Sequence, residues 1–190
     1  MSCCINRSVN NTPVPEIIGS SICRKFTSKI VLIGESSVGK SSLLLRIIHQ
    51  TFQDNSCAPT VGLGYETIPI GTIGHKIQFW DTAGQETYNA IVQAFMRNSQ
   101  VIIVVFSIVD CVSYQKVSTW ISAANRSSPD SIIILVGNKT DCIDDSEDLI
   151  EDIAVATDYP EYTYIQTSAK SGHGTAELLD LCKTHCGVHN

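Results

Sequence analysis

Two glycines, a lysine and a hydroxyl side chain are spaced along residues 34–41 in a pattern that could bind phosphate. Four residues separate Gly34 from Gly39, and Lys40 and Ser41 follow directly. Glycines let a loop wrap tightly, so that backbone N–H groups point at phosphate oxygens, while the lysine adds charge and the serine hydroxyl can ligate Mg²⁺. This is the P-loop pattern; a glycine turn with a solvated lysine is the alternative. The nucleotide-binding residues expected in this segment are Ser36, Ser37, Val38, Gly39, Lys40, Ser41 and Ser42.

Two later polar segments, Gly-Asn-Lys-Thr-Asp at 137–141 and Thr-Ser-Ala-Lys at 167–170, each follow an apolar strand. The Asp141 carboxylate can accept hydrogen bonds from N1–H and the exocyclic amine of guanine, whereas adenine offers no such pair of donors. A buried carboxylate left unpaired costs several kcal/mol, about enough to exclude adenine. Each segment alone could be an ordinary polar loop. After a P-loop they predict a guanine-binding group made of Asn138, Lys139, Asp141, Ser168, Ala169 and Lys170.

The segment Trp-Asp-Thr-Ala-Gly-Gln-Glu at 80–86 adds groups suited to metal binding and hydrolysis. Asp81 ends a strand and is expected to hold Mg²⁺ through a water, while Gly84 can bring its backbone N–H against a γ-phosphate. Gln85 is the expected catalytic residue, because its amide can orient an attacking water. Thr60, about midway between Ser41 and Asp81, could contact both Mg²⁺ and the γ-phosphate. The predicted metal ligands are therefore Ser41, Thr60 and, through water, Asp81.

The elements that must position these residues alternate between strand and helix. Apolar runs predict strands over 28–34, 75–81, 100–108, 131–139 and 162–168, and helical spacing predicts helices over 40–50, 87–96, 112–125, 147–157 and 175–186. Residues 65–80 leave no room for a helix between two strands and predict an antiparallel hairpin. The expected fold class is α/β, with a mainly parallel six-stranded sheet, one antiparallel strand and about five flanking helices.

Composition bounds the organisation of the chain. Its 190 residues, 43% hydrophobic and 17% charged, fit one globular domain over 28–186, with a flexible polar arm over 1–27 and a short tail over 187–190. The net charge is −6 and no run of basic residues occurs, so nucleic acid is not an expected partner. No apolar run approaches the roughly 20 residues of a membrane-spanning helix. A cytoplasmic monomer is expected.

Eight scattered cysteines without a secretion signal favour reduced thiols over disulfides. The closely spaced Cys182, His185, Cys186 and His189 allow a zinc site as a minor alternative to the end of a fraying helix.

The motifs in this order resemble those of the Ras superfamily of small GTPases over residues 28–186. Details such as Gly-Glu-Ser-Ser-Val-Gly-Lys-Ser-Ser at 34–42 and Lys-Ile-Gln-Phe-Trp-Asp at 76–81 look most like the Rab branch, although residues 87–91 and 95–100 depart from it. The resemblance implies a switch that binds GTP or GDP with Mg²⁺ as cofactor and regulates vesicle traffic. It also implies an activating protein, an exchange factor and effectors as partners. A guanine-nucleotide scaffold with negligible hydrolysis, or a non-Rab signalling GTPase, remains the alternative.

The resemblance also suggests that Phe52 stacks on guanine, although a core position is equally expected. No arginine occurs between Arg46 and Arg97. The two switch segments, around Thr60 and around Gly84, therefore supply no internal arginine finger. We expect intrinsic hydrolysis on the order of 10⁻⁴ s⁻¹ and faster hydrolysis only with an activating protein.

The ends of the chain differ from those of Rab proteins. Gly187 occupies the fourth position from the end, where a prenylation box needs cysteine, and Ser2 stands where myristoylation needs glycine. Acylation of Cys3 and Cys4 is one hypothesis for attachment to the cytosolic face of an internal membrane. Comparing how the wild-type and Cys3→Ser/Cys4→Ser proteins partition between cytosol and membranes would test it.

Overall fold

A computed structural model describes residues 16–18, 21–23, 27–52, 64–70, 75–82, 90–145 and 149–187, and for the first two ranges it describes the backbone alone. The strands are β1 (Glu16–Ile18), β2 (Ser21–Cys23), β3 (Thr27–Ile33), β4 (Gly64–Ile70), β5 (His75–Asp81), β6 (Val101–Ser107), β7 (Ile132–Asn138) and β8 (Thr163–Gln166). The helices are α1 (Lys40–His49), α2 (Ala90–Met96), α3 (Cys111–Gln115), α4 (Val117–Ser127), α5 (Asp152–Asp158) and α6 (Thr175–His185), with a 3₁₀ helix at Thr140–Asp145.

Six strands form one sheet in the order β4-β5-β3-β6-β7-β8. β3 runs parallel to both of its neighbours, with Ile30 level with Phe79 of β5 and with Val101 of β6. Only β4 runs antiparallel, paired to β5 from Gly64 opposite Asp81 to Ile70 opposite His75. The predicted α/β class, with five parallel strands, one antiparallel strand and flanking helices, is confirmed.

Both faces of the sheet are covered, which explains why its central strands are continuously apolar. On β3, Ile30 and Leu32 pack into a core with residues of α1 and α6, while Val31 and Ile33 pack into a second core with residues of α2 and α4. Alternate side chains of a strand point to opposite faces. Since each face is buried, the usual alternation with polar residues disappears.

Two helix predictions need correction. The helix expected over 112–125 is interrupted at Lys116, whose N–H donates to the Tyr114 carbonyl instead of one four residues back. The helix expected over 147–157 is α5, which begins only at Asp152. Ile150 is buried and its N–H donates to the Ile108 carbonyl at 2.7 Å. This contact with the turn after β6 uses an N–H that a helix would need, so Leu149 and Ile150 are not helical; residues 147 and 148 lie outside the described ranges.

β1 and β2 pair as antiparallel strands within the segment expected to be an arm, and the domain boundaries remain predictions.

Cys182 and Cys186 are buried in the core, and no group of three His, Cys, Asp or Glu side chains among the described residues could hold a metal; His189 lies outside them. None of the helices that the structure describes is long and apolar enough to cross a membrane.

Candidate functional site

The predicted phosphate loop lies between β3 and α1, at the carboxyl edge of the sheet. Gly34 has φ +140°, and a Cβ there would lie 2.0 Å from the Val105 carbonyl oxygen. Gly39 has φ +95°, and a Cβ there would lie 2.4 Å from the Asn138 amide nitrogen. Both positions therefore require glycine for backbone conformation and for space. Lys40 follows as the first residue of α1, so the positive end of the helix faces the loop.

Lys40 is buried inside this loop. Its Nζ donates to the carbonyls of Gly34 at 2.9 Å and Glu35 at 2.6 Å. Burial lowers the pKa of Lys40 to about 8, although the nearby Asp81 and Glu35 carboxylates act to raise it. A polyanion bound in the loop would offset this loss of hydration, so the ammonium fits the role of a phosphate ligand.

Ser41 and Asp81 meet beside the loop. The Ser41 hydroxyl donates to Asp81 Oδ2. Asp81 is 4% exposed, and its Oδ1 has no hydrogen-bond partner among the described residues. Burial raises the pKa of Asp81, while the Ser41 hydroxyl and the Lys40 ammonium act to lower it. An uncompensated buried carboxylate oxygen beside a hydroxyl is a donor set that fits Mg²⁺, or a water bound to it.

Asn138 joins three segments at the end of β7. Its amide nitrogen donates to the Val38 carbonyl at 2.8 Å. Its amide oxygen accepts from the Thr167 hydroxyl at 3.1 Å and from the Ala169 backbone N–H at 3.2 Å. Asn138 was predicted among the nucleotide-binding residues. The structure shows how its side chain holds the phosphate loop against the segment after β8.

Asp141 and Ser168 lie together at the other end of the site. Ser168 Oγ donates to Asp141 Oδ1 at 2.5 Å, and the Cys142 thiol lies 3.5 Å from Oδ2. Burial acts to raise the pKa of Asp141, but these hydrogen bonds and the nearby Lys170 outweigh it, so the pKa lies below its usual range. The exposed carboxylate is therefore ionised at neutral pH and retains lone pairs for a base. Lys139, two residues before Asp141, has φ +71°.

Arg46 and Trp120 are site neighbours that the sequence analysis missed. Arg46 of α1 donates from Nε to the Ala169 carbonyl at 2.7 Å and from Nη2 to the Lys170 carbonyl at 2.5 Å. Trp120 of α4 donates from Nε1 to the Glu35 carboxylate at 3.1 Å. These partners lie 85 to 124 residues apart in sequence, so no local pattern could have indicated them.

The predicted switch residues Thr60, Gly84 and Gln85 lie outside the described residues. Phe52 is partly buried and packs against the core that contains α1 residues. Among the described residues, Lys40, the Ser41–Asp81 pair and the Asp141–Ser168 pair all lie at the carboxyl edge of the sheet.

A row of aromatic side chains lies on the elements that flank both predicted switches. Tyr65 of β4, 61% exposed, stacks on Trp80 of β5 with ring centroids 5.3 Å apart. Trp80 in turn lies 5.4 Å from the ring of Phe95 on α2, and the Lys29 ammonium lies 5.3 Å from the Trp80 ring centroid. Residues 53–63 precede β4, and residues 83–89 connect β5 to α2. This aromatic row is therefore anchored beside both segments.

Comparison with known proteins relates the chain to one family and to a Rab-related protein. The family model described as the Ras family matches residues 29–186. The Ras-related protein RabC of Dictyostelium discoideum is 38% identical over 158 residues, which covers 80% of each chain. The matched range contains the predicted phosphate loop, Asp81 and both predicted base-binding segments.

Proposed function

Because the chain belongs to the Ras family of small GTPases, we propose that it works as a Rab-like switch in vesicle traffic. As a member of this family it binds GTP and GDP with Mg²⁺ and hydrolyses GTP. The similarity to a Rab protein supports the trafficking role, which enrichment of GTP-locked protein on one internal membrane in cells would test. The roles of individual residues in the switch are part of the proposal.

The observation that supports the proposal best is the meeting of three chemically different groups at one edge. Lys40 offers charge to phosphate, Ser41 and Asp81 offer oxygens to a cation, and Asp141 offers a carboxylate to guanine. In an open α/β sheet, ligands bind beyond the carboxyl ends of the strands. Asp81 ends β5, while Lys40 and Asp141 follow β3 and β7. In the strand order β5-β3-β6-β7 the cation and phosphate groups are therefore neighbours, and the base group lies farther along the same edge.

Each of these side chains has a separate part in the proposed mechanism. Lys40 and the loop N–H groups bind and orient the phosphates, and Asp141 selects the base. Bound Mg²⁺ would supply Lewis-acid stabilisation of charge on the phosphate oxygens, and Ser41 and Asp81 would hold it. Gln85 orients the attacking water, and Thr60 and Gly84 contact the γ-phosphate side. Loss of that phosphate releases both segments.

We further propose that partners bind the aromatic row formed by Tyr65, Trp80 and Phe95. Its outer member is an exposed tyrosine, and large aromatic side chains are enriched at protein interfaces. The row adjoins both segments that would rearrange with the nucleotide. A partner that covers it can therefore distinguish the GTP state from the GDP state.

Replacing Gln85 by Leu is expected to slow GTP hydrolysis further below an intrinsic rate on the order of 10⁻⁴ s⁻¹. Leucine keeps the approximate size of the side chain but can neither donate to nor accept from the attacking water. The measurement is single-turnover release of phosphate from protein loaded with GTP and Mg²⁺, beside an ATP control.

Gln115→Leu on α3 is the matched control, because Gln115 is an exposed glutamine. It should hydrolyse GTP as wild type does. A wild-type turnover near one per second would contradict dependence on an activator. Retained GTP with no detectable turnover would instead support a scaffold.

A further inference from the structure

We propose that Arg46 is a positioning residue for the base: it orients the Ala169–Lys170 peptide group and so sets how long the nucleotide stays bound. The proposal rests on the proposed base site around Asp141. Arg46 lies on α1, the helix that follows the phosphate loop, and the loop that it contacts is remote in sequence. The proposal gives this side chain a role in nucleotide retention.

The Arg46 guanidinium divides its donors among three backbone carbonyls. Nε donates to Ala169 at 2.7 Å, Nη2 to Lys170 at 2.5 Å and Nη1 to Gln50 at 2.9 Å. The planar guanidinium has five N–H donors in a fixed arrangement, so these directions are set together. Gln50 is the C-cap of α1 and has φ +55°, which places its carbonyl within reach.

These contacts hold Ala169 from two sides. Its N–H donates to the Asn138 side chain at 3.2 Å, and its carbonyl accepts from Arg46. A trans peptide group is planar, with its C=O and N–H pointing in opposite directions. No cis peptide bond occurs in the described part of the chain. Fixing the Ala169 carbonyl therefore also fixes the direction of the Lys170 N–H, which belongs to the predicted base-binding group.

The helix that carries Arg46 also carries the phosphate-binding end of the site. α1 begins at Lys40, and Arg46 lies less than two helical turns later. The same rigid element therefore ties the phosphate loop to the base loop. Loss of the Arg46 contacts would loosen the base loop while Lys40, Ser41 and Asp81 keep their own contacts.

This arrangement predicts faster nucleotide release without a change in the chemical step. Arg46→Gln should release GDP roughly tenfold faster, about the effect of losing one hydrogen bond to a charged donor. Arg46→Lys should recover only part of the loss, because a single ammonium cannot reach all three carbonyls in the same directions. The acceleration should be the same with Mg²⁺ and with EDTA, since the contacts lie on the base side of the site.

The test follows displacement of fluorescently labelled GDP by excess GDP from full-length wild type, Arg46→Gln, Arg46→Lys and Arg126→Gln. Arg126 is an exposed arginine of α4 and serves as the matched control. We expect faster release from both Arg46 variants in both metal conditions, wild-type release from Arg126→Gln, and unchanged single-turnover hydrolysis of bound GTP. Wild-type release from the Arg46 variants, an effect confined to Mg²⁺, or a parallel change in hydrolysis would overturn the proposal.

Asp141→Asn, measured in the same assay, separates this proposal from the site on which it rests. If Asp141→Asn retains GDP as wild type does, the base site itself is misplaced and the Arg46 proposal falls with it. If Asp141→Asn releases GDP quickly but Arg46→Gln does not, only the positioning role of Arg46 is wrong.

Discussion

Replacing Asp141 by Asn is expected to change the preferred base from guanine to xanthine. The carboxylate can accept from both N1–H and the exocyclic amine of guanine, and its lowered pKa keeps it ionised at neutral pH. An asparagine amide has one acceptor and one donor face. Xanthine carries a carbonyl in place of the amine, so it can accept from the new amide nitrogen while its N1–H still donates.

The expected loss of GDP affinity is large. Two hydrogen bonds to a charged group contribute about 3–6 kcal/mol together, equivalent to about 10²- to 10⁴-fold in affinity. Competition of GDP, XDP and ADP against a labelled nucleotide measures it, with Asp130→Asn, an exposed aspartate before β7, as control. An Asp141→Asn protein that still prefers GDP over XDP would show that Asp141 does not recognise the base.

Replacing Lys40 by Met is expected to weaken nucleotide binding strongly, with little effect on the nucleotide-free fold. The ammonium is buried and its pKa is lowered to about 8, so the folded protein without ligand holds a poorly hydrated cation. Methionine fills similar space without that cost, which offsets the loss of the hydrogen bonds to Gly34 and Glu35. The phosphates of a bound nucleotide, by contrast, would lose their charge-assisted hydrogen bonds to the ammonium. The affinity for nucleotide should therefore fall by about 10²-fold or more.

Thermal unfolding with and without GDP and Mg²⁺ measures both effects. Wild type should gain several degrees with GDP, as expected when a ligand binds only the folded state. Lys40→Met should unfold near the wild-type temperature without ligand and gain nothing with it. Lys116→Met, at an exposed lysine between α3 and α4, should behave as wild type. A GDP-dependent gain in Lys40→Met equal to that of wild type would remove Lys40 from the site.

The parts of the fold that the sequence predicted are those set by local pattern. The strands around Ile30 and Val101 could be predicted because strands covered on both faces are continuously apolar. The start of α5 could not be predicted in this way, because the Ile150 N–H donates to the Ile108 carbonyl, more than forty residues earlier in the chain. Tertiary hydrogen bonds of this kind override helical periodicity.

The same distinction applies to the site. Gly34, Gly39 and Lys40 form one short loop, so their spacing alone carries the signal. Arg46 acts on carbonyls 123 and 124 residues away, and backbone carbonyls have no sequence signature. Asn138 was found as part of a motif, but only the structure shows its three protein contacts.

The proposed switch is tested most directly by tryptophan fluorescence during a single turnover. Only Trp80 and Trp120 occur in the chain, and Trp80 lies in the aromatic row beside both predicted switches. GTP-loaded wild type should show a fluorescence change with the same rate constant as phosphate release, and Trp80→Phe should lose that change while it still releases phosphate. Constant wild-type fluorescence throughout phosphate release would contradict the account, because hydrolysis would then leave the proposed partner surface unchanged.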